Sequence, residues 1–297
     1  MSEEKDVIRT GAALVRCDND RWLTPKDLTA PLVICVHGFT SHGRYMIDLA
    51  QYIEGYGFIA ALFHYDSYLG IDQASAVLLD RLQPLISNIT HRSFVLIGHS
   101  MGGLVARAFA RSVQSPLREA LKGIALLGTP NRGTLGKKKL VSYMLDWGDW
   151  LTGPNPYARS PIRSKSAKQL TLNDTEQFIE SLNRADQKAP LGMQMHLLSI
   201  SGGRAFLESG KYSESSYSGI FRNTMLQRLI GEKPNDGLVA ESSADITRVI
   251  GKSNKFIQHN NKYADYPRTN HTYLIRNQSV ANVIVSWLQK VIPPPQV

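Results

Sequence analysis

Short apolar segments, each followed by a helix-spaced pattern, fill the first half of the chain. PLVICVHG (31–38), FIAALF (58–63), SFVLIG (93–98) and GIALLG (123–128) are almost unbroken in their hydrophobicity. A strand with one wet face would alternate polar and apolar residues, so these runs read as strands buried on both faces. Between them, Met46, Ala50 and Ile53, then Ala74, Val77, Leu78 and Leu85, then Leu104, Val105, Ala108 and Phe109 recur at helical spacing. This alternation predicts an α/β fold, a mostly parallel central sheet with helices on both faces. QMHLLSIS (194–201) and KFIQHN near 255 extend the sheet, and Val280, Val283, Ile284, Trp287 and Leu288 form the stripe of a closing helix.

Two stretches interrupt the pattern, residues 131–190 and the Gly/Ser-rich residues 202–234. Segments of that length in a compact domain are lids, binding loops or disordered segments. In the first, Leu140, Met144, Trp147 and Leu151 share a helical stripe that the core, a substrate or a lipid surface must cover. A fixed cap and a mobile lid are both open readings. Gln169-Leu170 through Leu182-Asn183 reads as an amphipathic helix returning from that insertion. No repeat or linker divides the chain, so residues 1–297 are expected to form one domain carrying both insertions.

The 34 Lys and Arg against 25 Asp and Glu give a net charge of +9. A basic surface favours anionic partners, among them phospholipid headgroups. The basic residues are spread out, with one dense run at Lys137-Lys138-Lys139, and no nucleic-acid-binding motif accompanies them. No nucleic-acid partner is expected. Cys17 and Cys35 offer neither a disulfide framework nor a metal spacing, and Cys35 sits in an apolar run where a thiol behaves as a small core residue. The polar start, MSEEKDVIRT, lacks the apolar stretch of a secretory signal, and no segment is apolar enough to span a membrane. A cytoplasmic location is the expectation, with export by a signal-independent route left open.

The strongest chemical signal is Gly98-His99-Ser100-Met101-Gly102. G-x-S-x-G alone is moderately specific. Here it lies directly after the strand SFVLIG and directly before the helix GLVARAFA, the strand–turn–helix setting in which such a turn projects a serine. Small flanking residues are needed to make that turn, and Gly98, Gly102 and Gly103 supply them. A second signal is His37-Gly38-Phe39 after PLVICV. Its Phe39 N–H and the N–H of Met101 are candidates to converge on a developing oxyanion. His37 is expected to fix this loop by hydrogen bonding and not to act as a base.

GHSMGGLVAR, the upstream HGF and LLGTPNRGT (126–134) together resemble the bacterial lipase and esterase branch of the α/β-hydrolases, and GPI inositol deacylases share these features. The resemblance spans residues 31 to about 290. It implies a Ser–Asp–His triad in that chain order and cleavage of carboxylic esters, on small-molecule or lipid substrates. A phospholipase or acyltransferase at an anionic membrane is the alternative, and a binding protein that keeps the fold without turnover a further one.

A serine hydroxyl needs a neutral imidazole to accept its proton. After Ser100 the histidines are His196, His259 and His271. His196 lies within an apolar strand and reads as structural, and His259 ends a strand-like run. His271, in YPRTNHTYL before the terminal helix, stands where the resembled family carries its base. Asp236, in NDGLV, is similar to that family's acid motif, with Asp245 and Asp265 as competitors read as surface helix or turn residues, and Asp66 as a candidate in other hydrolase layouts. Some related lipases carry an aspartate after the base that helps bind calcium. Thr272 and Tyr273 stand there instead, so no metal is expected, and ester hydrolysis requires no cofactor. The HGF loop, where others carry HGGG, goes in that family with medium or longer acyl chains.

Overall fold

A computed structural model of the chain describes residues 12–86, 93–134, 164–170, 177–189, 191, 195–203, 234–251, 257–260 and 270–293. Seven strands pair into one sheet: β1 (Ala13–Arg16), β2 (Leu32–Val36), β3 (Ile59–His64), β4 (Phe94–His99), β5 (Leu121–Leu127), β6 (His196–Ile200) and β7 (Ile257–Asn260). Their order is β1-β3-β2-β4-β5-β6-β7. All neighbours run parallel except β1, which pairs antiparallel with β3 at one edge.

The helices are α1 (Ile47–Glu54), α2 (Ile71–Ile86), α3 (Met101–Ser112), α4 (Leu117–Ala120), α5 (Lys165–Leu170), α6 (Phe178–Lys188), α7 (Glu241–Ala244), α8 (Thr247–Ile250) and α9 (Gln278–Val291). They explain why the strand sequences are apolar without alternation. Phe94 and Leu96 of β4 point into a core layer shared with Leu78 and Leu82 of α2 and Leu104 and Phe109 of α3. Val95 and Ile97 point the other way, onto Leu49 and Ile53 of α1 and Ile284 and Leu288 of α9. Successive strand residues thus lie in opposite layers, and each must be apolar. A fully buried Leu or Phe contributes on the order of 1.5–3 kcal/mol of transfer free energy, and each central strand gains it on both faces.

Helix α9 starts where Asn277 caps it, its side-chain oxygen accepting from the amides of Ser279 and Val280. Strand β1 has no counterpart in the sequence reading. ALVR is four residues long and pairs along its whole length with β3, from Ala13 opposite His64 to Arg16 opposite Ala61, and Val15 also bridges to Trp22 beyond the turn that follows.

The single helix expected over Gln169–Asn183 is corrected to two. Helix α5 ends at Leu170, α6 begins at Phe178, and Gln177 between them has a left-handed φ of 46°, which no α-helix contains. Helix α5 seats on the start of α2: Ser166 Oγ accepts from the Gly70 amide and Gln169 Oε1 from the Ile71 amide. These are two of the amides that a helix start leaves without an intrahelical acceptor. The Leu170 carbonyl accepts from the Thr134 amide and hydroxyl. These bonds tie Thr134, near the start of the first insertion, to the end of α5. Leu140, Met144, Trp147 and Leu151 lie outside the described residues, as does Asp265. Among the described residues no helix is long and apolar enough to cross a membrane.

Candidate active site

Ser100 stands between β4 and α3 with φ 55° and ψ −126°, a conformation that few non-glycine residues adopt. The strain is held by the sheet. The Ser100 amide donates to the Leu127 carbonyl at 2.8 Å, extending the β4–β5 pairing into the turn. Close packing explains the neighbouring glycines. A Cβ on Gly98 would lie 2.4 Å from the Gly103 backbone, and one on Gly102 would lie 2.1 Å from the Val36 carbonyl oxygen. Any larger residue would push the elbow off the sheet. As the first residue of α3, Met101 has an amide with no intrahelical acceptor.

The loop after β2 lies against the same serine. A Cβ on Gly38 would come within 2.9 Å of Ser100 Cβ and 3.5 Å of Ser100 Oγ. His37 is fully buried and stacks on Tyr65 at 4.2 Å between ring centroids. Its Nδ1–H donates to the Gly38 carbonyl at 2.9 Å, and the Tyr65 hydroxyl donates to the His37 carbonyl at 2.6 Å. Burial drives the His37 pKa down to about 3, which leaves the ring neutral. Phe39 is buried, its ring edge-on to Tyr68, and the next amide, Thr40 N–H, donates to Ser67 Oγ.

Asp236 and His271, 35 positions apart in the chain, meet in a buried pair. His271 Nδ1–H donates to Asp236 Oδ2 at 2.8 Å, and the His271 amide donates to the Asp236 carbonyl at 2.9 Å. The other carboxylate oxygen, Oδ1, accepts from the amides of Leu238 and Val239 at 3.0 and 2.7 Å. Gly237 makes this tight turn at φ 99°, a left-handed conformation suited to glycine. Gly128, one residue beyond the Leu127 carbonyl that holds Ser100, backs the pair: a Cβ there would lie 3.1 Å from both Asp236 Oδ2 and His271 Nδ1. The elbow and the pair therefore flank the same C-terminal end of β5. Among the described residues Ser100 Oγ makes no hydrogen bond to the His271 ring, a contact that often tightens only with substrate bound. An imidazole with its Nδ1 side taken by a carboxylate presents Nε2 as the basic nitrogen, the polarity that serine acyl transfer needs.

The other candidates lie elsewhere. His259, in β7, hydrogen-bonds Ser199 Oγ at 2.7 Å through Nδ1 and lies 3.6 and 3.7 Å from carboxylate oxygens of Glu241 and Asp245. The expectation that Asp245 is a surface residue is corrected. It is 6% exposed, its Oδ1 accepting from the Thr247 amide and hydroxyl. Asp66 forms a turn, accepting from the Tyr68 amide at 2.9 Å. His196 opens β6 and is partly buried.

The sequence reading gave no role to a buried polar network behind the elbow. Arg107 of α3, fully buried, donates to Asp186 Oδ2 from Nε and Nη2, at 3.0 and 2.7 Å, and to Asn131 Oδ1 at 3.1 Å. Asn131 Nδ2–H donates on to the Ala244 carbonyl at 2.8 Å. The one available signal was a charge inside the apolar pattern GLVARAFA.

A scan against protein-family models finds no match, and a sequence search of curated proteins finds none. Solved structures do match. The mature form of the Bacillus licheniformis lipase BlEst2 is 16% identical, aligns over 88% of this chain and 93% of its own, and gives a TM-score of 0.61. The hydrolase olei00960 from Oleispira antarctica, 11% identical, aligns over 96% of this chain and 97% of its own with a TM-score of 0.57. Phospholipase PlaB from Legionella pneumophila, 15% identical, covers 73% of this chain and 46% of its own at 0.51. The fold is that of the α/β-hydrolases. At these identities the likeness speaks for architecture alone.

Proposed function

We propose that this α/β-hydrolase chain is a serine hydrolase that cleaves carboxylic esters through an acyl-enzyme on Ser100. The observation that carries the reading is the buried Asp236–His271 pair at 2.8 Å, lying at the same strand end as the strained serine. His271 takes the Ser100 proton as the hydroxyl attacks the ester carbonyl. The amides of Phe39 and Met101 stabilise the tetrahedral oxyanion, and Asp236 holds the imidazole in the required tautomer and balances its charge. His271 then protonates the leaving alcohol, and in the second half it activates the water that releases the acid. No cofactor enters the scheme. The similar structures, a lipase and a hydrolase among them, support the same class.

The test is labelling by a fluorophosphonate probe, together with turnover of p-nitrophenyl esters from acetate to palmitate. Wild-type protein should label and turn over. Ser100→Ala should do neither, with kcat down by about 10⁶-fold. Full activity in that variant removes the reading.

A second reading, a phospholipase or acyltransferase at an anionic membrane, is favoured by the net charge of +9 and by the likeness to a phospholipase. Turnover that jumps when substrate passes from monomers to anionic vesicles would select it. Indifference to the interface would select a soluble esterase.

A further inference from the structure

We propose that His99 is a positioning residue that ties the base-bearing turn to the elbow, a role that rests on the serine-hydrolase reading above. His99 ends β4 and immediately precedes Ser100, so the central sheet fixes its backbone. Its ring Nε2 lies 2.7 Å from the carbonyl oxygen of His271. A carbonyl can only accept, so Nε2 carries the proton and Nδ1 is the bare nitrogen. Nδ1 is buried with no hydrogen-bond partner among the described residues. The whole hydrogen-bonding capacity that this ring uses is spent on one bond, to the residue that bears the base.

The peptide groups around His271 are held from further directions. Its amide donates to the Asp236 carbonyl at 2.9 Å, and the next carbonyl, of Thr272, accepts from the Tyr45 hydroxyl at 3.2 Å. Asn270 Oδ1 closes the turn by accepting from the Tyr273 amide at 2.9 Å and the Thr272 hydroxyl at 3.0 Å. The acid turn, the elbow strand and the segment before α1 thus each grip one peptide group of the base turn. Of these grips, the one from His99 alone comes from the residue next to the nucleophile. Nucleophile and base are thereby referred to one backbone, and a drift of either would drag the other.

The ring also suits its place electrically. The His99 and His271 ring centroids are 4.8 Å apart. Burial, and then the neighbouring His271, lower the His99 pKa to about 3. The ring stays neutral at any pH where an imidazole base works, so the tether adds no second cation beside the imidazolium. A neutral amide donor reaching the same carbonyl should substitute for it. An aliphatic side chain should not.

The test compares His99→Gln, His99→Leu and Tyr45→Phe with wild type in the full chain. It uses fluorophosphonate labelling and the kcat and KM of p-nitrophenyl butyrate turnover. His99→Leu should lower kcat by about 10- to 100-fold, the loss that a small misplacement of catalytic groups produces. KM should stay within about 2-fold, because the tether aims the base and does not bind substrate. His99→Gln should return kcat to within about 5-fold of wild type, because it restores the neutral donor. Tyr45→Phe should change kcat in the same direction by less. Should His99→Leu fail to fold, His99→Phe, which keeps a ring but no donor, reads the same split between kcat and KM. An unchanged kcat in the variant that is read overturns the inference, and so do equal losses in His99→Gln and His99→Leu. Wild-type protein that the fluorophosphonate does not label removes the serine-hydrolase reading, and this inference with it. The two failures are therefore distinguishable.

Discussion

Arg107 and Asp186 meet at 2.7 Å with neither side chain exposed to solvent. The second carboxylate oxygen is taken by Arg111 at 2.6 Å. Removing the guanidinium would strand a buried carboxylate, whose desolvation Arg111 alone offsets only in part. Arg107→Met should cost about 3 kcal/mol of unfolding free energy in urea titration, and the double variant Arg107→Met with Asp186→Leu should recover most of it. A double variant no better than the single one would show that the pair itself stabilises the fold.

A second variant tests Asp236 as the proposed acid. Asp236→Asn keeps the shape of the turn but offers an amide where the imidazole Nδ1–H now finds an acceptor. The wrong tautomer should lower kcat by about 10⁴-fold with little change in the urea midpoint. Normal turnover would move the acid role to another carboxylate.

Gly102 is a packing test of the elbow. A methyl group there would sit 2.1 Å from the Val36 carbonyl, which is backbone in a central strand and cannot swing aside. Gly102→Ala should lose about 3 kcal/mol of stability and with it the soluble folded protein at 37 °C. Folding as stable as wild type would mean that the elbow sits farther from β2.

Acidification should unfold the protein through its buried imidazoles. Burial lowers the pKa of His37 and His99 to about 3 and that of His64 to about 4. The unfolded chain binds these protons near pH 6.5 while the folded one does not, so the unfolded state holds more protons in between. Stability is therefore complete above about pH 6.5 and falls as pH drops toward 4. The fall should be roughly 1–2 kcal/mol per histidine between pH 7 and pH 5, read from urea midpoints at each pH. His99→Gln should flatten that slope by about one proton. An unchanged midpoint from pH 7 to pH 5 would contradict the neutral assignment.

What could be read from the sequence follows the range of the forces involved. The strands β2 to β5 were legible because burial on both faces leaves an unbroken apolar run, as in PLVICV around Cys35 and FIAALF around Leu62. β1 was not, since its four residues acquire meaning from pairing with β3, far along the chain. Ser100 was legible because its turn is specified within five residues. Asp236 and His271 were named only through motifs seen in other chains, as nothing local to either dictates their meeting. The union of Arg107 with Asp186, 79 positions apart, had no local trace beyond a misplaced charge. Asp245 was misjudged because its burial depends on partners such as His259 that only the folded sheet brings near.

Asp236 has both oxygens engaged, one by two amides of its own turn and the other by the imidazole. A carboxylate so tied cannot rotate about its Cβ–Cγ bond, and the loss of that freedom is incurred once, when the chain folds. A short loop turned at Gly237 and closed from the Asp236 amide to the Val239 carbonyl thereby holds the carboxylate at fixed aim, so that in the proposed reaction it would not have to reorient.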